Sequence, residues 1–264
     1  MAIRTERRWA IALRTHDGGI HTEPHDTRSR LGANRLALVR GVVAVAEAIG
    51  IGLDAVRVWM RVTTGTNPTR RDLAPTLAGI GSSVLLLFVA GPAIAVAATR
   101  WHGAGADAAE AGLRVAMLVV YLALVGRSAA ATRLFGYHGA EHEVIGAFEQ
   151  LGRMPSPEEA RSVGPVHDRC GTTFAMLFVI VAGVLYPFVP RSPLWAGAMV
   201  RIALVPVVCA LSYELMRIAA RERDARWARI VIWPGRAAQR LTTREPDDGQ
   251  LEVAAAALRE LLSS

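Results

Sequence analysis

Three histidines and a cysteine near the middle of the chain carry its strongest chemical signal. The first group reads Phe135-Gly136-Tyr137-His138-Gly139-Ala140-Glu141-His142-Glu143, and the second Val166-His167-Asp168-Arg169-Cys170-Gly171-Thr172. His138 and His142 are four positions apart, so on a helix they share a face one turn apart. Two neutral imidazoles so placed can bind one metal ion. Glu141 stands beside them. His-x-x-Glu-His is the order of the inverted zinc peptidases, in which the histidines bind zinc and the carboxylate activates its water. Zinc brings the pKa of bound water to about 7, making hydroxide available at neutral pH. A catalytic zinc site takes three protein ligands and leaves one position open. His167 and Cys170 are the candidates for the third, and Glu149, one to two turns past His142, is a further oxygen donor. The predicted centre is a divalent metal ion, zinc first, held by His138, His142 and His167 or Cys170. Glu141 is its general base or an orienting group. The plainer reading of these residues has boundary histidines capping helices or bonding headgroups, Glu141 and Glu143 paired with arginines, and Cys170 filling space.

The elements that must position these residues are membrane helices. The chain of 264 residues is 52% hydrophobic yet 20% charged, so its apolar residues are gathered into blocks. Four blocks reach the roughly 20 residues that a bilayer-crossing helix needs. They run over Gly79–Ala98, Leu113–Ala131, Thr172–Val189 and Leu194–Ala219. Arg201 and Glu214 are charged positions within the fourth; Glu214 is either a functional charge or a partner of Arg217. Arginine is sparse between the first two spans and between the last two. It is dense in Arg127–Arg169, after the fourth span and in the first eighty residues. The positive-inside rule then places both ends in the cytoplasm. Basic residues at helix ends already have a role there, which argues against a nucleic-acid partner despite a net charge of +7. Membrane lipids are the expected partners; the sequence leaves room for a homo-oligomer and points to no particular protein.

The fold class expected is all-α integral membrane, with about four transmembrane helices, an interfacial helix, a small N-terminal β-hairpin and a C-terminal cytoplasmic helix. The corresponding boundaries are residues 1–34 for the hairpin segment and 35–78 for the interfacial helix and linker. The membrane domain covers 79–219, with a cytoplasmic motif loop over 132–171, and the C-terminal segment covers 220–264. The hairpin rests on Arg8–Thr22, with a His-Asp-Gly-Gly turn. In Leu36–Met60, charges at Arg40, Glu47, Asp54 and Arg61 recur every seven residues and draw one polar stripe along an apolar rod. Such a helix keeps its charges wet at the membrane surface, or packs beside the bundle with the stripe facing protein. Arg221–Arg240, with Trp227 and Trp233, suits the headgroup boundary. Asp247 and Gln250 form a capping box opening a final helix. Met1–Arg14 lacks the apolar core of a cleavable signal peptide. The two cysteines, Cys170 and Cys209, make no disulfide framework and fit a reducing compartment.

The two histidine motifs resemble those of the YqhQ family, bacterial membrane proteins assigned as metal-dependent enzymes. The likeness extends through Leu38-Val39-Arg40-Gly41-Val42-Val43 before Glu47, through Ser212-Tyr213-Glu214-Leu215, and through Leu241-Thr242-Thr243-Arg244-Glu245-Pro246-Asp247-Asp248. It implies a multi-span protein of the bacterial cytoplasmic membrane with a metal site, and no particular reaction. There are two departures. Asp168 stands where the family usually has proline. The family's Gly-rich opening segment is represented only by Met1-Ala2-Ile3-Arg4, which resembles its end; a start codon assigned too late would explain this, whereas a real truncation could cost part of the site. The function expected is that of a metal-dependent membrane enzyme, a hydrolase at the cytoplasmic face. The alternative is a non-enzymatic scaffold or regulator whose motif loop is held by metal or hydrogen bonds. A transporter ranks third, because Arg201 and the Gly91-Pro92 step are its few mid-membrane features.

Overall fold

The computed structural model describes residues 1–5, 8–26, 37–65, 68–84, 92, 94, 103–190 and 193–263. It opens with three antiparallel strands in the order β1 (Ala2–Arg4), β2 (Arg8–Arg14), β3 (Ile20–Asp26). The expected hairpin is β2–β3, with Ala10 opposite Pro24 and Gly18 at a φ of 87° in its turn. β1 is an addition that the sequence reading missed. Strand β2 is buried on both faces, and its alternation explains why. Trp9 and Ile11 pack on Val58, whereas Ala10 and Ala12 join a core with Leu251, Ala254 and Leu258. The sheet is thus sandwiched between helices at opposite ends of the sequence.

Helix α1 (Ala37–Thr64) is the striped rod, and α2 (Arg70–Val84) follows it. Three members of the stripe have protein partners, two of them half-buried and Arg61 at the surface. Arg40 makes a two-pronged contact with Glu214 at 2.9 and 2.7 Å, Glu47 lies 3.8 Å from Arg4, and Arg61 meets Glu23. Asp54 pairs within the helix, with Arg57.

The remaining helices are α3 (Ala104–Val125), α4 (Ala129–Leu151), α5 (Pro157–Val163) and α6 (Gly171–Leu185), the last extended by a 3-10 turn at Tyr186–Phe188. Then come α7 (Leu194–Arg221), α8 (Arg226–Thr242) and α9 (Asp248–Ser263). Among the described residues three helices are long and apolar enough to cross a membrane: Ala104–Val125, Gly171–Phe188 and Trp195–Arg221. The first predicted span, Gly79–Ala98, lies largely outside the described residues, as does Gly91. The second predicted span shifts toward the N-terminus. Gly126 ends α3 and Ser128 caps α4, accepting from the Ala131 amide, so Ala129–Ala131 belong to the next helix. Residues 104–112, expected in a connection, form the first turns of α3. Charge at this depth is tolerated because it is paired. Glu110 and Arg114 meet at 2.8 Å and Arg201 lies 3.5 Å from Glu110, all three at most 3% exposed, with both guanidinium groups over the Tyr186 ring.

Around this cluster α3, α6 and α7 share an apolar core that includes Leu118, Met176, Val179, Ala182 and Val208, with Cys209 packed against it. α1 approaches α7 closely at Gly41, where a side chain would run into the Ala210 backbone. α9 starts with the expected capping box, Gln250 N–H donating to Asp247 at 2.7 Å and Asp247 N–H to the Gln250 side chain at 3.1 Å. Its buried face includes Leu251, Ala254, Leu258 and Leu261, while Leu262 is exposed.

Candidate metal centre

The stretch 132–171 is helical over most of its length, and helix α4 carries the first motif. His138 and His142 therefore lie one turn apart, with ring centroids 4.4 Å apart. The second motif ends at Cys170, which caps the N-terminus of α6. Its sulfur accepts from the Thr172 amide at 3.3 Å. The juxtaposition brings His138, His142 and Cys170 together, with one ligand atom of each within 4.8 Å of the others. His142 and Cys170 are buried and His138 is half-buried.

The hydrogen bonds fix the chemical state of both imidazoles. His138 Nδ1 lies 2.8 Å from the Thr242 carbonyl oxygen, and His142 Nδ1 lies 2.9 Å from that of Pro165. A carbonyl oxygen only accepts, so each Nδ1 carries a proton, and in the neutral ring it is Nε2 that presents a lone pair. Outer-layer carbonyls orient metal-binding histidines in this way. The Cys170 sulfur is 3.2 Å from His138 Nε2, so the thiol proton is directed at that lone pair. A divalent ion that displaced this one proton would meet two neutral nitrogens and a thiolate. The donor set therefore fits zinc.

The carbonyl of Thr242 reaches His138 because glycine keeps α4 thin. The segment between α8 and α9 crosses α4 at Gly139, where a Cβ would overlap the Arg244 carbonyl oxygen. One turn earlier, Gly136 makes room for the Gln250 side chain. The Arg244 amide donates to the Phe135 carbonyl at 3.0 Å and the Gln250 side chain to that of Arg133 at 3.2 Å. Glycines inside a helix, at spacing three around a histidine, are the sequence sign of this crossing. Thr242 and Pro165 act through backbone oxygens and leave no such sign.

His167 stands outside the ligand group. Its ring is 5.7 Å from that of His142, its Nδ1 accepts from the Arg169 amide at 3.3 Å and its Nε2 faces Glu149 at 3.3 Å. Glu149 is thereby shared between His167 and Arg169. Gln239, which sequence reasoning overlooked, is completely buried and clamps the His167 backbone. It accepts from its amide and donates to its carbonyl, both at 2.9 Å, and also donates to Thr173 at 2.8 Å. Asp168 bonds Arg236 at 2.6 Å and so ties the second motif to α8.

The carboxyl of Glu141 is half-buried beside His138. Burial raises its pKa, while His138 and the Met1 ammonium pull it back. Glu143, one position past His142, is 2% exposed, and one of its oxygens has no hydrogen-bond partner. Burial pushes this carboxyl up to about 7, against the pull of Arg161 and with a further push from Glu245. Glu214 is a structural charge, shared by Arg40 and, at 3.5 Å, by Arg217.

Comparison with known proteins agrees with the motifs. A family model described as a protein of unknown function, DUF1385, matches residues 36–264. The chain is also 36% identical over 156 residues to the uncharacterized protein YqhQ of Bacillus subtilis (strain 168). That alignment covers 59% of this chain and 48% of YqhQ, so it spans about half of the relative's length. No solved structure matches. With the family model covering everything from the start of α1 to the last residue, the chain belongs to the DUF1385 family, which it shares with YqhQ.

Proposed function

We propose that the protein is a metal-dependent enzyme of the bacterial cytoplasmic membrane, with zinc held by His138, His142 and Cys170 at the cytoplasmic face. The observation that carries this reading is the convergence of three donor atoms within 4.8 Å while both Nδ1–H groups are turned outward to carbonyls. A bound zinc ion would supply Lewis acidity and a hydroxide at neutral pH, and three ligands leave a position for them. The chain's own residues then have distinct tasks. Thr242 and Pro165 hold the rings, Cys170 gives up its proton, and Glu141, with its raised pKa, takes and returns a proton as general base. Hydrolysis of a peptide, ester or phosphoester bond is the reaction class supported by this set. The topology proposed is four spans with both ends in the cytoplasm, which puts α4, the sheet and α9 on the arginine-rich side.

The 3.2 Å approach of the Cys170 sulfur to His138 Nε2 favours a second reading. The same pair, oriented by Thr242, is a thiol beside its base and needs no metal to act as a nucleophile.

The deciding experiment is metal analysis by mass spectrometry of protein purified in mild detergent without chelator, with His138→Ala/His142→Ala as control. Near-stoichiometric zinc that vanishes in the control supports the metal enzyme. Metal-free protein whose Cys170 is alkylated rapidly by iodoacetamide, and slowly in His138→Ala, moves the assignment to thiol chemistry. Metal-free protein with an inert Cys170 and unchanged folding in the control leaves a scaffold.

A further inference from the structure

We infer that helix α8 lies in the plane of the membrane surface and binds the headgroups of anionic phospholipids. The inference is independent of the metal reading, because it rests on the opposite face of α8 from the one that touches the histidine motifs.

The contacts of the helix fix its direction. Near its start, Ala228 and Ile232 pack on Ala219, in the last turn of α7. Farther along, Gly235 rests against Thr173, and Thr242 bonds Thr172 through their hydroxyls at 2.9 Å, both in the first turn of α6. α6 and α7 are consecutive and antiparallel, both apolar enough to cross the bilayer, so the end of one and the start of the other lie at the same membrane surface. A rod of 17 residues, about 25 Å long, therefore bridges two points at the same depth and runs along that surface.

Its outward face has the composition of a headgroup-level helix. Trp227, Ile230 and Trp233 are 41%, 73% and 68% exposed. Arg226, Arg229 and Arg240 share this outward side, and α8 contains no acidic residue. Arg236, on the flank of the helix, is committed to Asp168 of the second motif and takes no part. The turn before the helix, with Arg223 against Glu222 and Asp224, carries one net negative charge, so the attraction for anionic headgroups comes from the helix itself. Indole rings beside guanidinium groups, at the level where spanning helices end, match the amphiphilic boundary of a bilayer. The guanidinium fork matches lipid phosphate, and an anionic leaflet adds a favourable field for each arginine. A zwitterionic surface offers the apolar boundary without that net field.

The test uses the whole protein in nanodiscs with brominated lipids, which quench tryptophans in contact with them. The contribution of Trp233 is the difference between the protein and its Trp233→Phe variant. At equal mole fraction, brominated phosphatidylglycerol is expected to quench Trp233 about threefold more than brominated phosphatidylcholine. The preference should fall to parity in Arg226→Gln/Arg229→Gln/Arg240→Gln. It should fall in the same way for the unaltered protein at about 0.5 M salt, which covers the case of a variant that fails to fold. Equal quenching by the two lipids in low salt overturns the choice of anionic headgroups. No quenching by either overturns the membrane placement, and places the face in water or under a protein partner.

Discussion

Two polar clusters sit within one small helical protein, and they are built on opposite principles. Between the apolar helices, Glu110 faces both Arg114 and Arg201, and the two guanidinium groups lie over the Tyr186 ring, so each charge meets an opposite charge or an aromatic face. At the junction of α4 and α6, His138 and His142 turn Nδ1 to backbone carbonyls, the Cys170 sulfur accepts from a backbone amide, and one ligand atom of each of the three lies within 4.8 Å of the others. The first arrangement holds helices. The second is the arrangement on which the proposed metal reading rests. What separates them is where the spare lone pairs point, and not how polar or how buried the residues are.

The comparison can be broken most forcefully from the closed cluster. Arg114→Leu leaves the Glu110 carboxylate buried without its 2.8 Å partner and is expected to cost about 3 kcal/mol of stability. Metal content per folded molecule should not change, so loss of metal in folded Arg114→Leu protein would mean that the clusters are coupled. Gly139→Ala attacks the open cluster through its backbone. Its methyl would displace the Arg244 carbonyl and with it the Thr242 oxygen behind His138, so a cost of about 2 kcal/mol together with weaker zinc binding is expected. Denaturation in detergent combined with competition against a chromogenic zinc chelator would measure both.

A smaller effect concerns charge beside the open cluster. Burial holds Glu143 at about 7 in the fold, above its ordinary value of 4.5, so folding favours its protonated form. That contribution is fully present below pH 4.5 and is lost as pH rises through about 7. Chelator-treated Glu143→Gln should therefore be more stable than the parent at pH 8, by on the order of 2 kcal/mol, and the gain should shrink toward pH 5. A pH-independent difference between the two melting curves would remove burial of this carboxylate as the cause. The mildest expected change is Gln239→Ala. It frees the His167 backbone and Thr173 while leaving the three proposed ligands in place, and on the metal reading should lower zinc affinity about tenfold without abolishing binding.

Much of this was written in side chains that repeat or cap. The four-residue spacing of His138 and His142 anticipated their shared face, Asp247 and Gln250 announced the start of α9, and the apolar run beginning at Thr172 gave α6 almost to its ends. Other features act through groups that every residue possesses. The carbonyls of Thr242 and Pro165 orient the two imidazoles, yet no residue type encodes them. The choice between His167 and Cys170 was likewise open in the sequence. The structure puts Cys170 beside His138 and His142 and His167 against Glu149 and the Arg169 amide, and the contact with Glu149 is not visible in the local sequence. The start of α3 was placed too late because Glu110 looks like a surface charge until it is seen paired with Arg114 and beside Arg201. On α1 the seven-residue stripe was visible, but its partners on α7, β1 and β3 were not.

The segment crossing Gly139 also sets an order of events in biosynthesis. His138 and the carbonyl that orients it are 104 positions apart, and Gln250 closes on Arg133 over 117. Arg14 bonds the Gly249 carbonyl across 235 positions. A ribosome must therefore release nearly the whole chain before these contacts can form. By then α3, α6 and α7, the helices apolar enough to cross a membrane, have already been made. A nascent chain stopped after α7 would lack the Thr242 carbonyl behind His138, so the histidine cluster is completed only after the apolar helices have been synthesised.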